Sequence, residues 1–202
     1  MHSPPLFTID DRSTVIDFLN NNSFGTLIQS NESEPIASHL PFQIRENEEE
    51  LLLTAHLSKR NPHAQLIRNG KTALVTFLGP HGYVSSSVYD HPNVPTWNYQ
   101  SVHVYGTVSL VSDVQMKEHL NQLVEKHELN RDHPLEMEKL PSELIETYLS
   151  EIIAFNIISY RVEGIFKLSQ NRHSNDFKSI IADLSKTPQN DALVKAMRDS
   201  QK

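Results

Sequence analysis

Apolar and polar side chains alternate most cleanly over residues 99–111. Val102, Val104, Val108 and Leu110 fall on one side of an extended segment, and Ser101, His103, Tyr105, Thr107 and Ser109 on the other. The pattern predicts a strand with one core face and one face that is wet or lines a site. Shorter apolar runs at 24–29, 35–44, 50–56, 73–77 and 83–86 predict further strands, mostly separated by turn-rich or charged stretches such as 31–34 and 45–50. Residues 152–162 are apolar on both faces, as a covered central strand should be, and Gly164 is expected to end that strand before Ile165 to Leu168.

Helical spacing appears elsewhere. Val15, Ile16, Phe18 and Leu19 lie within 10–21 behind Asp and Ser capping candidates. Ser112 and Gln115 form a capping-box pair ahead of Met116, Leu120, Leu123, Val124 and His127. A helix is expected after Pro141; Phe177, Ile180, Ile181 and Leu184 mark another, and Leu193, Val194 and Met197 a weaker last one. Strands in succession, with helices mainly at the ends, predict an α+β fold built on an antiparallel barrel with packed helices. They argue against a doubly wound parallel sheet. The length of 202 residues suits one domain over 1–184 with a C-terminal linker and helical appendage over 185–202.

Composition narrows the function classes. The absence of cysteine excludes disulfides, thiolate metal sites, iron–sulfur clusters and a cysteine nucleophile. A net charge of −7 argues against a general nucleic-acid coat. No window approaches about 18 consecutive apolar residues, and the first residues lack both a basic start and an apolar stretch, so a soluble, cytoplasmic protein without membrane contact is expected.

The charge is uneven. Residues 51–105 hold one acid, Asp90, against Lys59, Arg60, Arg68 and Lys71, a balance of +3 against −10 for the remainder. The same window holds His56, His63, His81, His91, His103 and the only tryptophan, Trp97. Cations, ring donors and a stacking surface together suit a compact anionic ligand with a planar part. Within it, Thr54, Ser58, Lys59, Arg60 and Asn61 run from the end of a strand into Pro62, which suits the first turn of a short helix. Hydroxyl, cations and free backbone N–H groups at such a place make a phosphate seat. The alternative is a solvated turn carrying two surface bases. The loop at 94–99 and the polar run at 167–172 are second and third candidates, with ordinary loop chemistry as their alternative. No nucleophile elbow, no zinc helix and no phosphate-binding glycine loop is present, and no two of the eleven histidines stand at helical ligand spacing, so no metal site is expected.

Four separated segments, Ala37 to Phe42, His56 to Pro62, Val94 to Gly106 and Glu163 to Arg172, resemble in order the PaiB family, over roughly residues 1–184. The resemblance implies an antiparallel split β-barrel of FMN-binding type and a homodimer with a shared flavin pocket. It also implies a role as a negative transcriptional regulator, the family being named for a repressor of sporulation and degradative-enzyme genes. It places Thr54, Ser58, Lys59 and Arg60 around the flavin phosphate and adds His39, His56 and Asn61 from the matching motifs. Trp97, Asn98 and Tyr99, with Lys167, Ser169, Gln170, Asn171 and Arg172, are implied for the ring and ribityl side, with the partner subunit contributing, and His103 is a further cofactor-binding candidate. The chain departs from the family at Ser86 to Tyr89, where a tryptophan usually precedes the tyrosine, which opens one wall of the pocket.

Two other functions share the fold: a flavin-dependent reductase or oxidase, and a haem-binding split barrel. An enzyme would need a proton donor beside the flavin, for which His103 and Tyr105 are the residues to examine; structural hydrogen bonds are the alternative, and no catalytic residue is assigned. No recognition helix or basic ribbon is evident, so direct DNA binding is not expected, and regulation would pass through flavin chemistry or a regulatory protein partner.

Overall fold

The computed structural model describes residues 1–2, 4–31, 34–46 and 50–201. Parts of the turns expected at 31–34 and 45–50 therefore lie outside the described residues. In chain order the elements are β1 (Thr8–Ile9), α1 (Arg12–Asn21), β2 (Phe24–Ser30), β3 (Pro35–Pro41), β4 (Gln43–Glu46), β5 (Leu51–Ser58), β6 (Thr72–Val84), β7 (Thr96–Leu110), α2 (Asp113–Glu128), α3 (Ser142–Glu151), β8 (Ile152–Lys167), α4 (Ser174–Leu184) and α5 (Asp191–Asp199). Short 3-10 turns include Pro62–Leu66 and Ser86–Val88.

Local chemistry explains the starts of α1 and α2. Asp11 caps α1, accepting from Thr14 N at 2.8 Å and from the hydroxyls of Thr14 and Ser13, and these bonds lower its carboxyl to about 2. At α2 the capping box is complete: Gln115 N donates to Ser112 Oγ at 3.3 Å and Ser112 N donates to Gln115 Oε1 at 2.9 Å.

The eight strands form one antiparallel sheet in the order β3, β2, β6, β7, β8, β5, β4, with β1 paired to β8. Two compact units divide the chain, and β6, β7 and β8 run through both. The first unit comprises Met1–Asn22, Phe77–His103 and Glu163–Lys202. Its core gathers Phe18, Leu19, Phe77, Val102, Ile165, Leu168 and Ile180. Leu193, Val194 and Met197 of α5 are buried in the same unit, so residues 191–197 contribute to packing. The second unit comprises Ser23–Thr76 and Val104–Val162, around Leu27, Phe42, Leu53, Ala55, Val75, Val104, Phe155 and Ile157. In it β5 pairs with β4 from Gln43 opposite Thr54, and with β8 from Ser58 opposite Ile152 to Leu52 opposite Ile158.

Several sequence expectations change. The run at 35–44 is two strands, because Phe42 turns inward, its N–H donates to Ser23 O at 2.8 Å, and the chain passes from pairing with β2 to pairing with β5. The runs at 73–77 and 83–86 mostly belong to the single strand β6, which ends at Val84. It continues past Gly79, where a Cβ would stand 2.5 Å from the Phe18 ring, so the missing side chain lets α1 pack against the strand. In β7 the alternation fails at both ends: Ser101 is buried and donates to Phe77 O at 3.0 Å, and Leu110 is exposed. In α2 it is His119 that is buried, while His127 is exposed. β8 runs through Gly164, which pairs with Ile9, and its middle is open at Tyr160 and Val162.

Candidate functional site

In the second unit the end of β5 presents Ser58, Lys59 and Arg60 to solvent. Lys59 Nζ donates to Ser150 O at 2.7 Å, and Arg60 Nη2 pairs with Glu151 Oε1 at 2.9 Å. The backbone N–H groups expected to be free here are not. Lys59 N donates to Glu151 O, Arg60 N to Ser58 Oγ, Asn61 N to Ser58 O and His63 N to Asn61 Oδ1. The α3–β8 junction runs alongside this strand end and takes up the first of them; the tight turn takes up the rest. An anion here would therefore be held by side chains.

Upstream on β5 the hydroxyl of Thr54, itself buried, donates to Asn156 Oδ1 at 2.7 Å. His56, half-buried, stands 3.1 Å through Nδ1 from Nε2 of His119. His119 is wholly buried and its Nδ1 lies 2.7 Å from Gln43 Oε1, while Gln43 Nε2 donates to His119 O at 3.1 Å. The Gln43 oxygen can only accept, so the proton of His119 sits on Nδ1. Nε2 of His119 then accepts from His56 Nδ1, and His56 meets its surroundings as an acceptor through Nε2. Burial lowers the pKa of both rings, that of His119 to about 4, with His56 and Arg45 adding to the effect. Asn61 Nδ2 donates to Ser38 Oγ at 3.3 Å, and His39 is exposed, stacked on Phe24 at 6.4 Å.

The residues implied for the ring side lie, in the first unit, in two distinct environments. Asn98 is wholly buried: its Nδ2 donates to Ser169 Oγ at 2.9 Å and contacts Met197 Sδ at 3.5 Å. Ser169, at φ 64°, is buried with it, and its hydroxyl also stands 3.2 Å from Asn98 Oδ1. Gln170 locks the same turn, accepting from Leu168 N and donating to Phe166 O, and Lys167 Nζ donates to Thr96 Oγ1. Trp97, by contrast, is half exposed. Its Nε1 donates to His81 Nδ1 at 3.3 Å, the two rings stack at 5.9 Å, and Tyr83 lies 6.2 Å away. Asn171 is exposed, Tyr99 is half-buried, and Arg172 is half-buried with its guanidinium 5.1 Å from the Tyr89 ring centroid.

His103 is half-buried, and its pKa is lowered by burial first and then by the N-terminal ammonium, against the pull of Glu163. Tyr105, which belongs to the second unit, is covered by the Arg161 guanidinium at 3.7 Å. The sequence reading missed His119 and Gln43, whose role depends on contacts across 76 residues of chain. A buried histidine on the packed side of α2 was the one local signal.

The sheet order and flanking helices define an antiparallel split-barrel protein. The chain belongs to the family described as "Putative FMN-binding domain", which it matches over residues 1–159. It is 35% identical to Protease synthase and sporulation protein PAI 2 of Bacillus subtilis (strain 168), over 100% of this chain and 99% of that protein. Among solved structures, a FAD and heme binding protein from Mycobacterium smegmatis shares the fold with a TM-score of 0.59 at 16% identity, over 85% of this chain and 78% of that one. The flavocytochrome Anf3 of Azotobacter vinelandii does so with a TM-score of 0.55 at 15% identity, over 85% and 75%. No helix among the described residues is long and apolar enough to cross a membrane.

Proposed function

We propose that this chain binds FMN, the flavin phosphate being held by Ser58, Lys59 and Arg60, and that it acts as a PaiB-type negative regulator without contacting DNA itself. The observation that carries the reading is the solvent-facing hydroxyl and two cations at the end of β5, where the Lys59 and Arg60 side chains engage one carbonyl and one surface carboxylate and the Ser58 hydroxyl accepts from Arg60 N. An exposed ion pair is worth about 0–1 kcal/mol, less than the roughly 1.5–3 kcal/mol of a charge-assisted bond to phosphate, so the dianion outcompetes Glu151 for Arg60. Family membership and the full-length likeness to PAI 2 support the same reading.

When bound, FMN supplies a redox-active ring. Beside the phosphate residues, in the same unit, His56 is suited as a neutral acceptor to hydrogen-bond such a ligand. A homodimer with a shared pocket belongs to this proposal. Regulation is indirect because the helices do not offer a basic face: α2 carries Asp113, Glu118, Glu125 and Glu128 against Lys117 and Lys126, and α3 carries three glutamates and no base.

The test is titration of flavin-free protein with FMN, riboflavin and FAD by flavin fluorescence, with light scattering on the saturated species. One FMN per chain, bound tighter than riboflavin and FAD by a dimer, is expected. Equal affinity for FMN and riboflavin overturns the phosphate site, and a monomer that still holds FMN overturns the shared pocket. Fluorescence anisotropy with promoter fragments at ~0.15 M salt addresses regulation. Nanomolar, sequence-dependent binding would overturn the indirect mode.

A further inference from the structure

In the first unit, directly after the Ser86–Val88 turn, Asp90 and His91 meet Asp176 from the first turn of α4. The three side chains bring one ligand atom each within 4.8 Å of one another. His91 Nδ1 lies 3.0 Å from Asp90 Oδ1 and 3.9 Å from Asp176 Oδ1, and Asn93 Nδ2 stands 3.3 Å from His91 Nε2. We propose that Asp90, His91 and Asp176 form a binding site for a divalent first-row transition-metal ion.

Asp176 makes the argument more than a surface cluster. Its side chain is nine-tenths buried, yet among the described residues it has no hydrogen bond; its one charged contact, His91, is beyond hydrogen-bond reach. A carboxylate so largely withdrawn from water is stabilised by a counter-charge. The obvious protein cation does not supply it, since Arg172 lies over the Tyr89 ring and pairs with neither acid. The buried hydroxyl of Tyr89, whose ring lies 5.6 Å from that of His91, also has no hydrogen-bond partner among the described residues, so polar capacity beside the cluster is unused.

The donor set selects the ion. One imidazole nitrogen with two carboxylate oxygens suits Mn²⁺, Fe²⁺, Co²⁺ or Zn²⁺, whereas Ca²⁺ seeks about six to eight oxygens. Donors bound at about 2.1 Å stand about 3 Å apart, and rotation of the exposed Asp90 and His91 side chains closes that gap. Three protein ligands leave coordination positions open. The site does not depend on flavin.

Isothermal titration of the full chain with MnCl2 and separately with ZnCl2 tests the proposal. One ion per chain is expected, with affinity reduced about 10-fold or more by Asp176→Asn and by Asp90→Asn. Asp90 is largely exposed, so Asp90→Asn carries the test even if the buried substitution impairs folding, which near-ultraviolet circular dichroism reports. Uptake unchanged in Asp90→Asn would assign the ion to other histidines and overturn the site. Absence of uptake of both metals at about 100 μM would also overturn it.

Discussion

His56 Nδ1 and His119 Nε2 stand 3.1 Å apart, and the chain of donors they begin ends on the side-chain oxygen of Gln43. Three residues from β5, α2 and β4 thus share one orientation of protons that requires the His119 imidazole to be neutral. Adding a proton to His119 Nε2 would set two N–H groups against each other inside the unit.

Stability should therefore fall with acid. The folded pKa of His119, about 4, lies below its ordinary 6.5, so the unfolded chain binds more protons between those values. The contribution is complete above pH ~6.5 and is lost as pH falls toward ~4, and amounts to roughly 3 kcal/mol. Urea denaturation at pH 7 and pH 4.5 measures it. His119→Asn should lower stability at pH 7 but flatten the pH dependence. Parallel slopes for the two proteins would show that the ring titrates normally.

Asn98 and Ser169 should behave as a stability pair. Both are buried and each is the other's hydrogen-bond partner, so Asn98→Ala leaves the Ser169 hydroxyl unsatisfied at a cost of about 1–3 kcal/mol. Ser169→Ala should cost a similar amount, and the double variant less than the sum, because the second change removes the stranded group. Chemical denaturation of the four proteins gives the coupling, and strict additivity would disprove it.

Gly106 of β7 packs directly against the β8 backbone. A Cβ there would stand 2.5 Å from Ile158 O and 2.6 Å from Ile157 Cγ2, and the first of these is backbone that cannot swing away. Gly106→Ala should destabilise by about 2 kcal/mol or more, read as a drop in thermal midpoint of several degrees.

Much of this fold is legible in local pattern. The alternation over 99–111 finds β7, and Ser112 with Gln115 marks the start of α2 because a capping box is a contact between residues three apart. What escapes is set by distant partners. Phe42 reads as one more apolar residue of a strand until Ser23 O receives its N–H and turns the chain. The cations of the phosphate seat are visible in the sequence, whereas the occupation of its backbone N–H groups depends on Glu151, some 90 residues on. Asp90 and His91 likewise carry no metal-ligand spacing of their own, since the third ligand arrives with α4.

Arg60 and Glu151 provide the sharpest test of the flavin site, because their substitutions should act with opposite signs. The ion pair between them is solvent-exposed, with the side chains 83% and 48% accessible, so breaking it costs the fold about 1 kcal/mol at most. Arg60→Ala removes a multidentate donor to phosphate and should weaken FMN about 10- to 100-fold while leaving riboflavin nearly unchanged. Glu151→Gln removes the competing carboxylate and should tighten FMN by up to about 5-fold, again with little effect on riboflavin. Fluorescence titrations of both flavins with the three proteins decide the matter. Equal losses for FMN and riboflavin in Arg60→Ala would mean that Arg60 supports the strand end and does not hold the phosphate.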